Sequence, residues 1–113
     1  VGGAFHSRLM EPAQEGLAKA VERLQFSEPS IPIIANCTGQ PINTIDEIKN
    51  ELLRGLSSCV RWKETLEYMG TQNIDTFYEI GPGKVLTGLV KRLNPEANTI
   101  NISDIESINA LTS

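Results

Sequence analysis

The single histidine of this chain, His6, is the residue best suited to acid-base chemistry. It lies in the run Gly2-Gly3-Ala4-Phe5-His6-Ser7-Arg8-Leu9-Met10, where small residues lead into an aromatic ring, an imidazole and a hydroxyl. Imidazole is the side chain that both accepts and donates a proton near neutral pH. We therefore treat His6 as the candidate general base. The alternative is an ordinary surface or capping histidine.

A catalytic histidine also needs an acceptor that holds its second ring nitrogen. Glu79, which precedes a glycine turn, is a carboxylate that would serve, and a backbone carbonyl would serve equally well. The alternative for Glu79 is a surface carboxylate at the end of a strand.

The turn Gly81-Pro82-Gly83-Lys84 invites comparison with phosphate-binding loops, because glycines ahead of a helix let backbone N–H groups face an anion. The phosphate loop requires Gly-x-x-x-x-Gly-Lys-[Ser/Thr] and the dinucleotide motif requires a further glycine, and the turn has neither pattern. We expect a structural turn between a strand and a helix, with a turn bordering a substrate groove as the alternative.

Several basic residues recur at helical intervals in an otherwise acidic chain. We predict that they form a docking surface for an acidic partner, where such charges raise the association rate and set the orientation. The alternative is a set of ordinary solvated charges. The residues are Arg61, Lys63, Lys84, Lys91 and Arg92.

Length and composition limit the functional classes. The 113 residues suffice for one domain or for part of a larger one, and the formal net charge of -4 provides no basic field for nucleic acid. Cys37 and Cys59 are expected to be reduced thiols, and one histidine with two separated cysteines provides no metal-ligand set. We expect no membrane span, because no apolar run approaches the necessary length.

The hydrophobic pattern predicts the elements that position these residues. Helices are expected from Pro12 to Phe26, from Thr44 to Leu56 after a capping box, from Trp62 to Gly70 and from Lys84 to Leu93 with its apolar residues inward. Strands are expected at 31–35, 76–80 and 98–102, and a second capping box at 103–106 begins a terminal helix. Strands separated by helices imply parallel crossovers, so the predicted fold class is a layered α/β sandwich.

Four blocks of this sequence together resemble the C-terminal part of malonyl-CoA:acyl carrier protein transacylases. They are Ala4-Phe5-His6-Ser7 with Leu9-Met10, Ile33-Ile34-Ala35-Asn36, Val60-Arg61-Trp62, and Glu79 to Arg92. The resemblance covers essentially the whole chain and implies an α/β-hydrolase-like core with parallel strands. Residues 1–113 would then be the C-terminal portion of the acyltransferase domain.

The resemblance implies ping-pong transfer of malonyl from coenzyme A to the phosphopantetheine thiol of acyl carrier protein, in fatty acid biosynthesis. His6 matches the catalytic histidine of the family, and no bound cofactor is implied, since the coenzyme A thioester is a substrate. The implied partners are acyl carrier protein, malonyl-CoA and the remainder of the domain, with no nucleic acid and no membrane. The implied location is the cytoplasm, or a plastid or mitochondrial matrix in a eukaryote.

The chain departs from the family pattern at several positions. No serine has glycine at both second-neighbour positions, so the nucleophile of a Gly-x-Ser-x-Gly elbow is expected outside this chain. The family's arginine clamp and N-terminal glycine-rich loop are also missing. Gly55 stands where many members have glutamine, whose main-chain carbonyl orients the histidine. Arg8 and Cys59 replace prolines.

The aromatic ring of Phe5 beside the catalytic histidine resembles the arrangement that accompanies malonyl rather than methylmalonyl selection in polyketide synthases. An acyltransferase domain of a polyketide synthase is therefore the nearest alternative. A non-catalytic module that binds a carrier protein and a serine hydrolase are the other functions considered. The isolated chain is predicted to be inactive, because it has a base without its serine.

Overall fold

The computed structural model describes residues 3–112, which form two compact units, one running to Tyr68 and the other beginning at Met69. Among these residues, no helix is both long and apolar enough to cross a membrane. The first unit contains a 3-10 helix at Arg8–Ala13, α1 at Gln14–Glu22, β1 at Ile33–Ile34, β2 at Pro41–Ile42 and α2 at Ile45–Gly55. Helix α3 spans Trp62–Thr71 and contains the boundary between the units.

The helix expected from Pro12 is two consecutive helical segments. Pro12 lies inside the 3-10 helix, and the α-helical part begins at Gln14 and ends at Glu22, several residues before Phe26. The end is marked by Arg23, whose N–H donates to the Ala20 carbonyl in a tighter 3-10 pattern. Val21 is the buried residue of this apolar stripe.

The buried strand expected at 31–35 is instead one short strand of a β-hairpin. Only Ile33–Ile34 is extended, and it pairs antiparallel with β2, with Ile34 opposite Pro41. Ile31 is 74% exposed, and Ala35 is the buried residue of the run. The prediction of parallel crossovers is wrong for this segment, because a connection of a few residues can join only antiparallel neighbours.

Helix α2 begins with the predicted capping box. The Thr44 hydroxyl accepts from the Glu47 N–H at 3.2 Å, while Glu47 Oε2 accepts from the N–H groups of Asn43 and Thr44. These hydrogen bonds, the one from Asn43 first, lower the pKa of Glu47. The box fixes where the helix starts, and Gly55 is its last residue.

The second unit is built on a parallel strand pair. β3 at Thr76–Ile80 lies beside β4 at Asn98–Ile102, with Tyr78 opposite Ile100, and α4 at Val85–Leu93 connects them. The strand bounds match the prediction, and this crossover confirms the α/β class. A terminal helix, α5, spans Ile105–Leu111.

Two local predictions in this unit need correction. The apolar residues of α4 were expected to face inward together, but Val85 is 74% exposed while Val90 is 3% exposed, since two strands cover only part of a wide apolar face. The N-cap of α5 is Asp104 rather than Ser103. Its carboxylate accepts from the Ser107 N–H, and the Ser107 hydroxyl accepts from the Asp104 N–H in return.

The glycine turn between β3 and α4 is held by Glu79. Gly81 and Gly83 have φ values of 132° and 90°, which only glycine adopts readily. Glu79 accepts from the N–H of Leu86 at 3.0 Å, from the N–H and hydroxyl of Thr87 at 2.8 and 2.6 Å, and from the Asn101 amide at 3.1 Å. N–H groups at the start of α4 thus donate to an internal carboxylate, which fits the expected structural turn rather than a phosphate site.

These hydrogen bonds, led by the Thr87 hydroxyl, lower the pKa of Glu79. A carboxylate with a lowered pKa stabilises the fold above the usual pKa of glutamate, about 4.3. That stability is lost as the pH falls through the lowered value. We expect Glu79→Gln to reduce the free energy of unfolding at pH 7 and to flatten its decrease below about pH 4.3.

Chemical denaturation across pH 3 to 7 measures this effect, with Glu96→Gln, an exposed change in the same unit, as the control. An unaltered pH profile in Glu79→Gln would show that Glu79 does not couple the turn to the strands.

Candidate active site

His6 is attached to the C-terminal end of α2 through both its backbone and its ring. Its N–H donates to the Leu56 carbonyl at 3.1 Å, and its Nδ1 lies 2.6 Å from the carbonyl oxygen of Gly55. The residue is exposed, so its ring is held by these polar contacts rather than by burial. The structure therefore brings together two of the residues singled out in the sequence, His6 and Gly55.

This contact determines which ring nitrogen of His6 carries the proton. A carbonyl oxygen can only accept a hydrogen bond, so Nδ1 must be the donor. In the neutral imidazole, Nε2 then has a free lone pair, which is the state that a general base needs.

The acceptors come from a helix terminus. The last carbonyls of an α-helix have no partner within the helix and carry its partial negative charge. At the end of α2, His6 satisfies the carbonyls of Gly55 and of the C-cap residue Leu56, while the Arg54 carbonyl accepts from the N–H groups of Ser57 and Ser58. A positive charge on the imidazole would thus interact favourably with the end of this helix.

The backbone of His6 is strained. Its φ of 61° lies in the left-handed region, which costs a residue other than glycine about 1–3 kcal/mol. Such strain persists where surrounding contacts fix the conformation, and here the two contacts to α2 do so. Strained residues concentrate at functional sites, so this geometry supports a functional role for His6.

The neighbours of His6 are ordered by local contacts. Phe5 is 56% exposed, and a Cβ added to Gly3 would lie 2.7 Å from its ring, so Gly3 leaves room for this position of the ring. The Ser7 hydroxyl donates to the Ala4 carbonyl at 2.5 Å. Gly2, the other glycine of the motif, lies outside the described residues.

Gln14 contributes to this site although it belongs to no sequence motif. Its Nε2 donates to the Leu53 carbonyl and to the Ser57 hydroxyl, each at 3.2 Å. It therefore joins the start of α1 to the same helix end that holds His6. Neither the role of Gln14 nor that of the Leu56 carbonyl has a sequence signature, because main-chain acceptors are independent of residue type.

Of the two acceptors considered for His6, Glu79 and a backbone carbonyl, the structure shows the carbonyl. The Glu79 carboxylate instead accepts hydrogen bonds within the second unit, from Leu86, Thr87 and Asn101. The backbone carbonyl that was the other possibility is the observed acceptor for His6.

The basic residues differ in their surroundings. Arg61 and Lys63 form ion pairs along α3 with Glu64 at 3.3 Å and Glu67 at 3.6 Å, and Lys91 donates to the Ala97 carbonyl. Lys84 and Arg92 are exposed and form no ion pair within residues 3–112.

The two cysteines are free thiols in different environments. Cys37 is buried, and burial, followed by the charge of Glu51, raises the pKa of its thiol. Cys59 is exposed. Within the described part of the chain, no three histidine, cysteine or acidic side chains cluster as metal ligands do.

Two curated proteins similar to this chain carry the same name. The malonyl CoA-acyl carrier protein transacylase of Synechocystis is 35% identical over 111 residues, which are 98% of this chain and 38% of that protein. The transacylase of the same name from Bacillus subtilis is 40% identical over 108 residues, or 96% of this chain and 34% of that protein. The chain therefore spans little more than a third of the length of these curated relatives.

A solved structure similar to this chain is also that of a malonyl-transacylase. A malonyl-transacylase in complex with its type II polyketide synthase acyl carrier protein matches with a TM-score of 0.86 and 36% identity, over 99% of this chain and 37% of that one. No protein-family model matches the chain.

Replacing Gly55 with alanine tests the geometry described for the end of α2. An added Cβ at Gly55 meets nothing within 4 Å and its φ is not positive, so Gly55→Ala should fit while keeping the carbonyl. Alanine loses less backbone entropy than glycine, so we expect a gain of up to about 1 kcal/mol in unfolding free energy. Urea denaturation measures it.

Gly88→Ala is the matched control, since that Cβ also meets nothing within 4 Å, in a helix of the second unit. A loss of stability in Gly55→Ala alone would contradict the described geometry at the end of α2.

Proposed function

Because this chain is a relative of the malonyl CoA-acyl carrier protein transacylases, matched over nearly all of its length, we propose that it carries the general base of malonyl transfer from coenzyme A to an acyl carrier protein. The observation that supports this role most directly is the contact between His6 Nδ1 and the Gly55 carbonyl. It leaves Nε2 free to take a proton.

In the first half-reaction, Nε2 of His6 takes the proton of a serine hydroxyl as that oxygen attacks the malonyl thioester carbon. The tetrahedral intermediate collapses with cleavage of the carbon–sulfur bond. The departing coenzyme A thiolate takes the proton from the imidazolium, which leaves malonyl-serine and a neutral imidazole. The end of α2 favours the transient positive charge on the ring.

In the second half-reaction, Nε2 takes the proton of the phosphopantetheine thiol, whose sulfur attacks the malonyl ester. The serine oxygen leaves and receives that proton from the imidazolium. Malonyl is now a thioester of the carrier protein, and both His6 and the serine have returned to their starting states. A single imidazole thus serves both halves of a ping-pong cycle.

The nucleophile belongs to another segment in this proposal. No serine of the chain stands in a Gly-x-Ser-x-Gly elbow, and the chain covers little more than a third of its relatives. We place residues 1–113 as the C-terminal portion of an acyltransferase domain with an α/β-hydrolase-like core. The parallel β3–β4 pair with its α4 crossover is compatible with that core.

We assign acyl selectivity to Phe5. Its ring is exposed beside the general base, where it limits the room next to the acyl α-carbon and favours malonyl over branched acyl groups. The acyl groups arrive as coenzyme A thioesters, which are substrates, and the proposal requires no bound cofactor or metal.

Contacts with the carrier protein fall to the basic residues. Lys84 and Arg92 are exposed, so they can bind carboxylates of an acidic partner without first breaking an ion pair within residues 3–112. Arg61 and Lys63 would first exchange Glu64 and Glu67 for carboxylates of that partner, and exposed pairs of this kind cost little to separate. Lys91, which is engaged with Ala97, contributes least.

A polyketide pathway is the second candidate, and the structural neighbour bound to a polyketide carrier protein favours retaining it. The chemistry of His6 is the same in both pathways, and only the carrier protein differs. The cytoplasmic location stays a prediction in either case.

We expect His6→Ala to lower kcat by about 100-fold or more in an enzyme that contains this segment together with its serine, because a general base is removed. His6 is exposed, so its replacement by alanine removes no packing from the core and the protein should still fold. Stopped-flow release of coenzyme A and transfer to carrier protein measure the two half-reactions.

Glu96→Gln, an exposed change far along the chain, is the control and should retain full turnover. The 113-residue chain by itself should transfer no malonyl. Wild-type turnover in His6→Ala would remove His6 from the mechanism.

We expect Phe5→Ser in the same enzyme to raise the ratio of kcat/KM for methylmalonyl-CoA over malonyl-CoA by about tenfold or more, since a small side chain admits the additional methyl group. Competition between the two thioesters measures the ratio. An unchanged ratio would remove Phe5 from substrate selection.

A further inference from the structure

We propose that Gln14 is a positioning residue for His6, an inference that rests on the proposed general-base role. Gln14 makes no contact with the imidazole. It acts on the helix end that supplies the acceptor, through its hydrogen bonds to the Leu53 carbonyl and the Ser57 hydroxyl.

Two connections join the His6 segment to α2. One is His6 itself, which reaches the Gly55 and Leu56 carbonyls. The other is Gln14, eight residues further along, whose single amide group bridges residues on both sides of those carbonyls. Leu53 precedes the carbonyls bound by His6 and Ser57 follows them, so Gln14 holds both sides of the turn that presents them.

The end of α2 needs such support. Gly55 is its last residue, and glycine weakens a helix end because it retains more conformational freedom than other residues. The Gly55 carbonyl can fix the ring only while it stays within hydrogen-bond reach of Nδ1, and His6 holds a strained φ that it would readily leave. Gln14 keeps the distance between the two segments constant.

The single histidine makes this inference testable by nitrogen NMR, because every imidazole signal of the 113-residue chain belongs to His6. In the wild type, Nδ1 should be the protonated nitrogen of the neutral ring. Gln14→Leu removes the donor at similar size, and we expect the ratio of the Nε2–H to the Nδ1–H tautomer to rise about fivefold, as the loss of one hydrogen bond allows.

Three further variants separate positioning from general stability. Gln14→Lys keeps a donor that can reach helix-end carbonyls and should restore the wild-type ratio. Gln14→Asn keeps the amide on a shorter side chain and should behave like Gln14→Leu. Gln72→Leu makes the same chemical change at an exposed amide of the second unit and should leave the ratio unaltered.

In an enzyme that contains both the segment and its serine, Gln14→Leu should lower kcat about tenfold with little change in KM, because the base is misplaced while binding is retained. A folded Gln14→Leu protein with the wild-type tautomer ratio and kcat overturns the proposal. Should that variant not fold, equal ratios in Gln14→Asn and Gln14→Lys overturn it equally. Failure of the general-base role itself appears separately, as retained turnover in His6→Ala.

Discussion

The hydrogen bond between His6 Nδ1 and the Gly55 carbonyl is the interaction on which the candidate site depends. It requires that α2 end at Gly55, so that the carbonyl lacks a partner within the helix. The capping box at Thr44 fixes the other end and hence the position of that carbonyl along the chain. The strained backbone of His6 is tolerated because the same helix end also accepts its N–H.

A neutral acceptor has a different consequence from a carboxylate partner. A carboxylate would fix the tautomer but would also place a full negative charge against the imidazole. The Gly55 carbonyl fixes the same tautomer with only the partial charge of a helix terminus. Glu79, the acid that sequence reasoning offered for this task, instead closes the turn before α4. The Gly55 carbonyl thus orients His6 at the end of α2, and the Glu79 carboxylate stabilises the turn that precedes α4.

Features that depend on interactions between residues close in sequence were predicted, and features that depend on contacts between distant residues were not. The bounds of β3 and β4 and the start of α2 came from local signals, namely alternation of apolar residues and a cap. The pairing of β1 with β2 and the exposure of Val85 depended on which surfaces are covered, which no local pattern contains. His6 was evident from its chemistry, but its left-handed φ was not, since that conformation is imposed by contacts with residues 49 and 50 positions away.

Orientation of the base is therefore a property of the first unit alone. His6, Gln14 and the end of α2 lie within it, and so do the hydrogen bonds that join them. A base whose tautomer is set before substrate binds has no reorganisation to undergo during the reaction, which is the advantage of a preorganised site. In the proposed mechanism, Nε2 is already free in this arrangement, so proton transfer would require only that a serine come within its reach.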